Sequence, residues 1–385
     1  MNYLNYKEDE LKDKGAIFTA TEIAGQPDLW KKIYTQFIAN ETEIKNFLSK
    51  SFKEVKRIIL TGAGTSAYIG LSLKGVFQKK AGIFTDPIPT TDLVTHPLDY
   101  FSQNESTLLV SFARSGNSPE SLAAVQLAEK ICSKLIHVII TCDANGKLAG
   151  FQSGSPKLVI ILPPESNDKS LAMTGSYSGM LLAGILLANS NNIKGIGKKL
   201  DTLCSYGNKI LKEYSAPIEL FARKEFKRAV FLGSGPLQGT ATESQLKLQE
   251  LTDGHIICKC DSFLGFRHGP KAVVDENTMV VFIFSNVDYV LNYEKDLVKD
   301  MNKGKHPAFL IGVSEKKIEG INPDLEVVLS DSADSLDEEL LAVCQVIPAQ
   351  LLGFFKSLHL GLKPDKPSDS GAISRVVQGV NIYNF

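Results

Sequence analysis

The chain says one thing twice. "KRIILTGAGTS" (56–66) returns as "KRAVFLGSGPL" (227–237), 171 residues further on. Each copy holds two basic residues, an apolar run of strand length, and a Gly-x-Gly that opens a helical pattern. After the first copy come apolar runs at 106–112, 135–142 and 157–163. After the second they come at 255–260, 278–285, 308–313 and 326–330. Unbroken apolar runs alternating with helical segments are the pattern of parallel strands buried on both faces. The expected fold is therefore α/β and duplicated, each copy a mainly parallel sheet between two helical layers in the flavodoxin-like manner. Two domains of about 150 residues suit a chain of 385. We expect an N-terminal helical segment at 1–45, one domain at 46–205 and a second at 215–362. Residues 335–362 read as a terminal helix interrupted by Pro348. The tail 363–385 is Pro/Ser-rich and then apolar, which predicts a docked segment closing over the site.

Composition removes several classes. With net charge −1, 43% hydrophobic and 22% charged residues, the chain has no basic block for nucleic acid or an anionic membrane. Its apolar stretches, such as "GMLLAGILLA" (179–188), are too short for a bilayer, and the polar N-terminus lacks a signal core. A cytoplasmic location is expected. The six cysteines are scattered. The one close pair, Cys258 and Cys260, lacks the companions of a zinc site and reads as buried thiols.

The chemistry concentrates where strands end. "SFARSGNSPES" (111–121) runs from a strand into Arg114, Ser115, Gly116, Asn117 and Ser118, then into a helix with Ser118 placed to cap it and Pro119 in its first turn. A well-capped turn alone would explain Ser118 and Pro119 but not the cluster before them. The preceding strand ends in Gly62, Gly64, Thr65 and Ser66. Gly62 and Gly64 begin a dinucleotide fingerprint, yet no acidic residue closes the next strand to hold a ribose. Two neighbouring strand ends bearing hydroxyls and helix N-termini instead describe a cradle for a monophosphate. In the second copy, Glu243, Lys247 and Glu250 share one helix face at i, i+4 and i+7. Spacing alone would make them a solvated, salt-bridged face.

"GAGTSA" followed by "SFARSGNSPES", with "ESQLKLQELTDG" and "FRHGPKAVVD" in the second copy, resembles the sugar isomerase (SIS) domain family and the isomerase half of glucosamine-6-phosphate synthase. "GAIFTATEIAGQPDLW", "NDKSLAMTGSYSGM" and "KPDKPSDSG…RVVQGVNIY" resemble, within it, the AgaS group of galactosamine-6-phosphate deaminase/isomerases, also labelled tagatose-6-phosphate ketose/aldose isomerases. The resemblance implies two tandem SIS domains. It implies that Glu250 moves a proton between C1 and C2, that His268 opens the sugar ring, and that Gly64, Thr65, Ser66, Arg114, Ser115, Asn117, Ser118, Lys247 and Gln378 contact the substrate. It implies a homodimer or higher oligomer in which His268 crosses to the neighbouring subunit, and no metal or organic cofactor. Residue 2 is asparagine where the synthase keeps a nucleophilic cysteine, and no glutaminase region precedes the repeat. Gln378 stands about where the synthase has a lysine, and an amide forms no Schiff base. Both departures imply release of nitrogen: a 2-amino-2-deoxyhexose 6-phosphate becomes a ketose 6-phosphate and ammonia. A plain aldose/ketose isomerase would share the site, and a sugar-phosphate-binding regulator would keep the cradle without needing the acid and the histidine.

Overall fold

A computed structural model of the chain describes residues 1–301, 306–333, 335–377 and 379–385. Helices α1 (Ile17–Ala24), α2 (Gln26–Ala39) and α3 (Glu41–Glu54) precede the first sheet. That sheet and its helices follow as β1 (Arg57–Thr61), α4 (Thr65–Ala81), β2 (Phe84–Pro87), β3 (Thr107–Ala113), α5 (Pro119–Ile131), β4 (Leu135–Thr141), β5 (Lys157–Ile161) and α6 (Gly175–Ala188). The second sheet runs β6 (Arg228–Leu232), α7 (Pro236–Leu251), β7 (Ile257–Asp261), β8 (Thr278–Ile283), α8 (Asp288–Met301), β9 (Phe309–Ser314) and β10 (Leu325–Val328). Helices α9 (Glu338–Cys344) and α10 (Ile347–His359) close it.

Two compact units result. The first-repeat unit comprises Asp28–Asp168, Gly175–Leu200 and Ser370–Phe385. The second-repeat unit comprises Met1–Pro27, Lys169–Thr174 and Asp201–Asp369. Each holds one five-stranded, wholly parallel sheet, ordered β2-β1-β3-β4-β5 and β7-β6-β8-β9-β10. The duplication extends to register. Arg57 pairs with Thr107 in one sheet and Arg228 with Thr278 in the other, both members advanced by 171 residues. Within each sheet the winding reverses between the two central strands, and such a switch point leaves a crevice at the carboxyl edge.

β3 and β4 are buried along their whole lengths, which is why their sequences run apolar without alternation. β2, short and ending in Pro87, lies at a sheet edge, where a proline costs no ladder bond; its weak apolar character hid it from the sequence. Pro348 falls in the first turn of α10, where its missing N–H is harmless. The stretch Glu338–His359 has a mean hydropathy of 1.4 over its most apolar window, but that window is wholly buried inside the protein. It is a core helix. The expectation of buried thiols needs one correction: Cys132, Cys142, Cys204 and Cys344 are buried, whereas Cys258 and Cys260 are only half-buried because β7 is an edge strand.

Two helices are capped by carboxylates outside the usual cap position, one of them from far away in sequence. α1 has Ala16 at its cap position, which offers no acceptor. The Asp365 carboxylate instead accepts from the Phe18 and Thr19 amides at 3.2 and 2.7 Å. Asp168 does the same for α6, accepting from the Gly175 and Ser176 amides at 3.1 and 2.9 Å.

Candidate active site

The cradle residues occupy the switch point of the first-repeat unit. β1 ends at Thr61, and the chain must then turn sharply into α4. A Cβ on Gly62 would sit 2.6 Å from the Ser66 main chain, so only glycine lets the helix start so close. Gly64 caps α4 at φ 54°, ψ −127°, a conformation that side chains forbid. Thr65 and Ser66, in the first turn of α4, are buried. On the neighbouring strand, β3 leads through Arg114 and Ser115 to Ser118, whose hydroxyl caps α5 by accepting from the Ser121 amide at 3.2 Å. Thr65, Ser66, Ser115 and Ser118 thus open at one edge of two hydrogen-bonded strands, each set at a helix N-terminus with its positive dipole end.

Arg114 and Asn117 have other commitments. The Asn117 side chain accepts from the Lys147 amide at 3.1 Å and pins the loop after β4. The Arg114 guanidinium, 6% exposed, donates to the carbonyl of Arg375. Arg375 in turn donates to the Asp168 carbonyl at 2.8 and 2.6 Å and to Asn167 Oδ1 at 2.7 Å. The tail is therefore tied to the strand that carries Ser115, through Arg375 and Asp168, neither of which the sequence reading singled out. The signal was an arginine in an otherwise apolar tail segment, "ISRVV". Gln378 lies outside the described residues.

In the second-repeat unit, α7 presents Glu243, Lys247 and Glu250, and the face is not solvated. Glu243 and Lys247 are essentially inaccessible, with side-chain exposures of 0% and 1%, while Glu250 keeps 23%. Lys247 Nζ lies 3.2 Å from Glu243 Oε1 and 2.6 Å from Glu250 Oε2. Burial works against the ammonium, but the two carboxylates outweigh it and hold the Lys247 pKa above the usual lysine value. Its 2.6 Å contact with Glu250 Oε2 suits Lys247 to orient that carboxylate. The lysine fixes one carboxylate in the interior and aims the other outward. His268 lies on an exposed turn after the short helix Phe263–Phe266, its amide donating to the Gly265 carbonyl at 3.0 Å. No hydrogen bond or ion pair joins it to Glu250 among the described residues.

Comparison with known proteins agrees with this architecture. The SIS domain family matches residues 51–190. D-galactosamine-6-phosphate deaminase AgaS of Shewanella sp. (strain ANA-3) is 38% identical over 98% of this chain and 94% of its own length. A Clostridium novyi NT crystal structure with the provisional description tagatose-6-phosphate ketose/aldose isomerase is 40% identical, covers both chains fully and superposes with a TM-score of 0.96. The tagatose-6-phosphate ketose/aldose isomerase structure from Escherichia coli is 32% identical over 96% of this chain and 97% of its own, with a TM-score of 0.84. A twice-built parallel sheet with hydroxyl-bearing turns at one switch point defines a tandem SIS protein. Within that class the chain belongs to the AgaS family.

Proposed function

We propose that the protein deaminates and isomerises a 2-amino-2-deoxyhexose 6-phosphate, galactosamine 6-phosphate, to tagatose 6-phosphate and ammonia. The observation that carries this reading is the Glu243–Lys247–Glu250 triad, which gives one outward-facing carboxylate a fixed cationic anchor. Support comes from the full-length relatives named as galactosamine-6-phosphate deaminases.

In this reading Ser66, Ser115 and Ser118 receive the 6-phosphate, with the helix N-termini beside them. His268, supplied across a homodimer, moves a proton from the anomeric hydroxyl to the ring oxygen and so opens the pyranose. Glu250 removes the C2 proton from the open-chain aldehyde. The electron pair forms the C1–C2 double bond as the C1 carbonyl pair moves onto O1, which takes a proton from water, giving an enolamine. Glu250 returns the proton to C1, which leaves C1 a primary alcohol and C2 an iminium that gives its extra proton back to water as the imine. Water adds to the imine carbon, and ammonia departs as the C2 carbonyl forms. C1 is reduced as C2 is oxidised, so no external electron carrier enters. The relatives named as ketose/aldose isomerases favour a second reading, in which a hydroxyl at C2 replaces the amine and the same proton shuttle ends at the ketose.

Incubation with galactosamine 6-phosphate, measuring ammonia and ketose 6-phosphate together, separates the readings. Equimolar release of the two is expected. Turnover of an aldose 6-phosphate with none of the aminosugar would establish the plain isomerase, and turnover of neither would reject both.

Replacing Ser115 and Ser118 together by alanine tests the cradle. Each hydrogen bond to a charged group contributes about 1.5–3 kcal/mol, so KM for the 6-phosphate substrate should rise by roughly tenfold or more per serine. Loss of the Ser118 cap should cost a further ~1 kcal/mol of stability, visible as a lower Tm. A double variant with wild-type KM would move the phosphate elsewhere.

A further inference from the structure

The loop between β4 and β5, residues 142–156, contains neither helix nor strand, so its course must be fixed by contacts with its neighbours. Its first half lies against the cradle. The Leu148 amide donates to the Gly116 carbonyl at 2.9 Å, the Lys147 amide to Asn117 Oδ1 at 3.1 Å and the Cys142 amide to the Arg114 carbonyl at 3.2 Å. A Cβ on Gly146 would stand 2.3 Å from the Ser115 carbonyl oxygen, so the two main chains touch there. Every residue from Arg114 to Asn117 thus leans on this loop.

The second half is held by one carboxylate. Glu129 Oε1 accepts from the Ser153 hydroxyl, and Oε2 accepts from the Ser155 hydroxyl at 3.2 Å. His137, on β4 and 0% exposed, approaches Glu129 Oε1 at 3.0 Å through Nε2, and the Phe151 ring from the loop meets the imidazole edge-on at 6.0 Å. Burial holds the His137 pKa below its ordinary value despite Glu129, so the ring is neutral at pH 7 and carries its proton on Nε2, facing the carboxylate. Burial also opposes the Glu129 charge, yet hydrogen bonds from Ser153, His137 and Ser155 keep that carboxyl below the usual range. Lys157, the other charge felt by the imidazole, is committed to the Phe151 carbonyl. The last turn of a helix is an unfavourable place for an anion, yet Glu129 sits in the last turn of α5, 23% exposed. The fold does not demand this network. Strand register puts Leu310 at the His137 position of the second copy, whose turn has Pro236 and Leu237 in place of Thr65 and Ser66.

Because α5 starts at Ser118 and ends beside Glu129, the contacts close a ring: cradle turn, helix, carboxylate, loop and cradle turn again. We propose that Glu129 is a positioning residue for the phosphate cradle, acting through Ser153, Ser155 and the loop to hold the Arg114–Asn117 main chain beside Ser118; this role rests on the reading above that the turn receives the 6-phosphate. Calorimetric titration of the full-length protein with inorganic phosphate reads the cradle without turnover, and steady-state kinetics with galactosamine 6-phosphate read the rest. Glu129→Gln removes the charge at nearly constant volume. The phosphate Kd and the substrate KM should rise together by about tenfold, a size that packed networks can carry, with kcat within about twofold of wild type. S153A/S155A, which cuts the tie from the loop side, should give the same split, and combining the variants should add little. It also serves if the glutamine variant does not fold. A folded E129Q or S153A/S155A with wild-type phosphate Kd and KM, or one that loses kcat at constant KM, would overturn the proposal, as would a lower Tm as the sole effect. S115A/S118A separates the two possible failures. If it binds phosphate as the wild type does, the cradle reading fails and this role falls with it. If it loses phosphate while E129Q binds normally, only the role of Glu129 is lost.

Discussion

Glu250→Gln is expected to leave folding and substrate affinity in place while slowing the exchange of the substrate C2 proton with solvent by about 10²–10⁴-fold, the usual contribution of a positioned general base. Glutamine keeps an oxygen that can accept from Lys247 at the 2.6 Å position, so the side chain should stay anchored. It cannot take up a proton from carbon. The readout is deuterium incorporation from heavy water into the recovered sugar phosphate, followed by mass spectrometry. Wild-type incorporation by the glutamine variant would show that Glu250 is a surface charge held by Lys247 for structural reasons alone.

Lys247→Met should cause the largest loss of stability. Lys247 is buried and pairs with two carboxylates, one of them as inaccessible as itself. Methionine matches the length of the lysine stem but leaves Glu243 as an uncompensated charge in the interior. Breaking a buried pair from one side costs about 3–5 kcal/mol, whereas replacing both partners with apolar groups is often close to neutral. The single variant should therefore lower the urea midpoint sharply at an unchanged slope, and Lys247→Met with Glu243→Leu should recover most of the loss. A single variant destabilised by less than about 1 kcal/mol would mean that Glu243 finds another partner or takes up a proton.

The same triad shows where the sequence was legible and where it was not. Charged residues at i, i+4 and i+7 are the ordinary signature of an exposed helix face. The charges are buried because α10, an apolar helix a hundred residues downstream, lies across α7. At the crossing Gly353 comes so close that a Cβ there would be 3.1 Å from the Lys247 carbonyl oxygen. No local pattern reports that approach. The central strands were legible because burial on both faces forces an unbroken apolar run. The edge strand β2 was obscure because, short and ending in Pro87, it carries no such run. The cradle was legible for a similar reason: a turn that brings a helix N-terminus against a strand end demands glycines at fixed spacing, and those glycines are visible in the letters. The ties of Arg114, Arg375, Asp168 and Asp365 join residues hundreds of positions apart, and only the fold brings them together.

Asp365 carries a consequence for how the protein is made. It caps α1 from 346 residues away, and both compact units draw part of their substance from the last 20 residues or so of the chain. Neither unit can be finished while those residues remain in the ribosome. Domain-by-domain folding, the usual route for a two-domain chain, therefore cannot bring either unit to completion before residues 365–385 are available. A stop codon ahead of Asp365 would strip the cap from a helix translated 346 residues earlier.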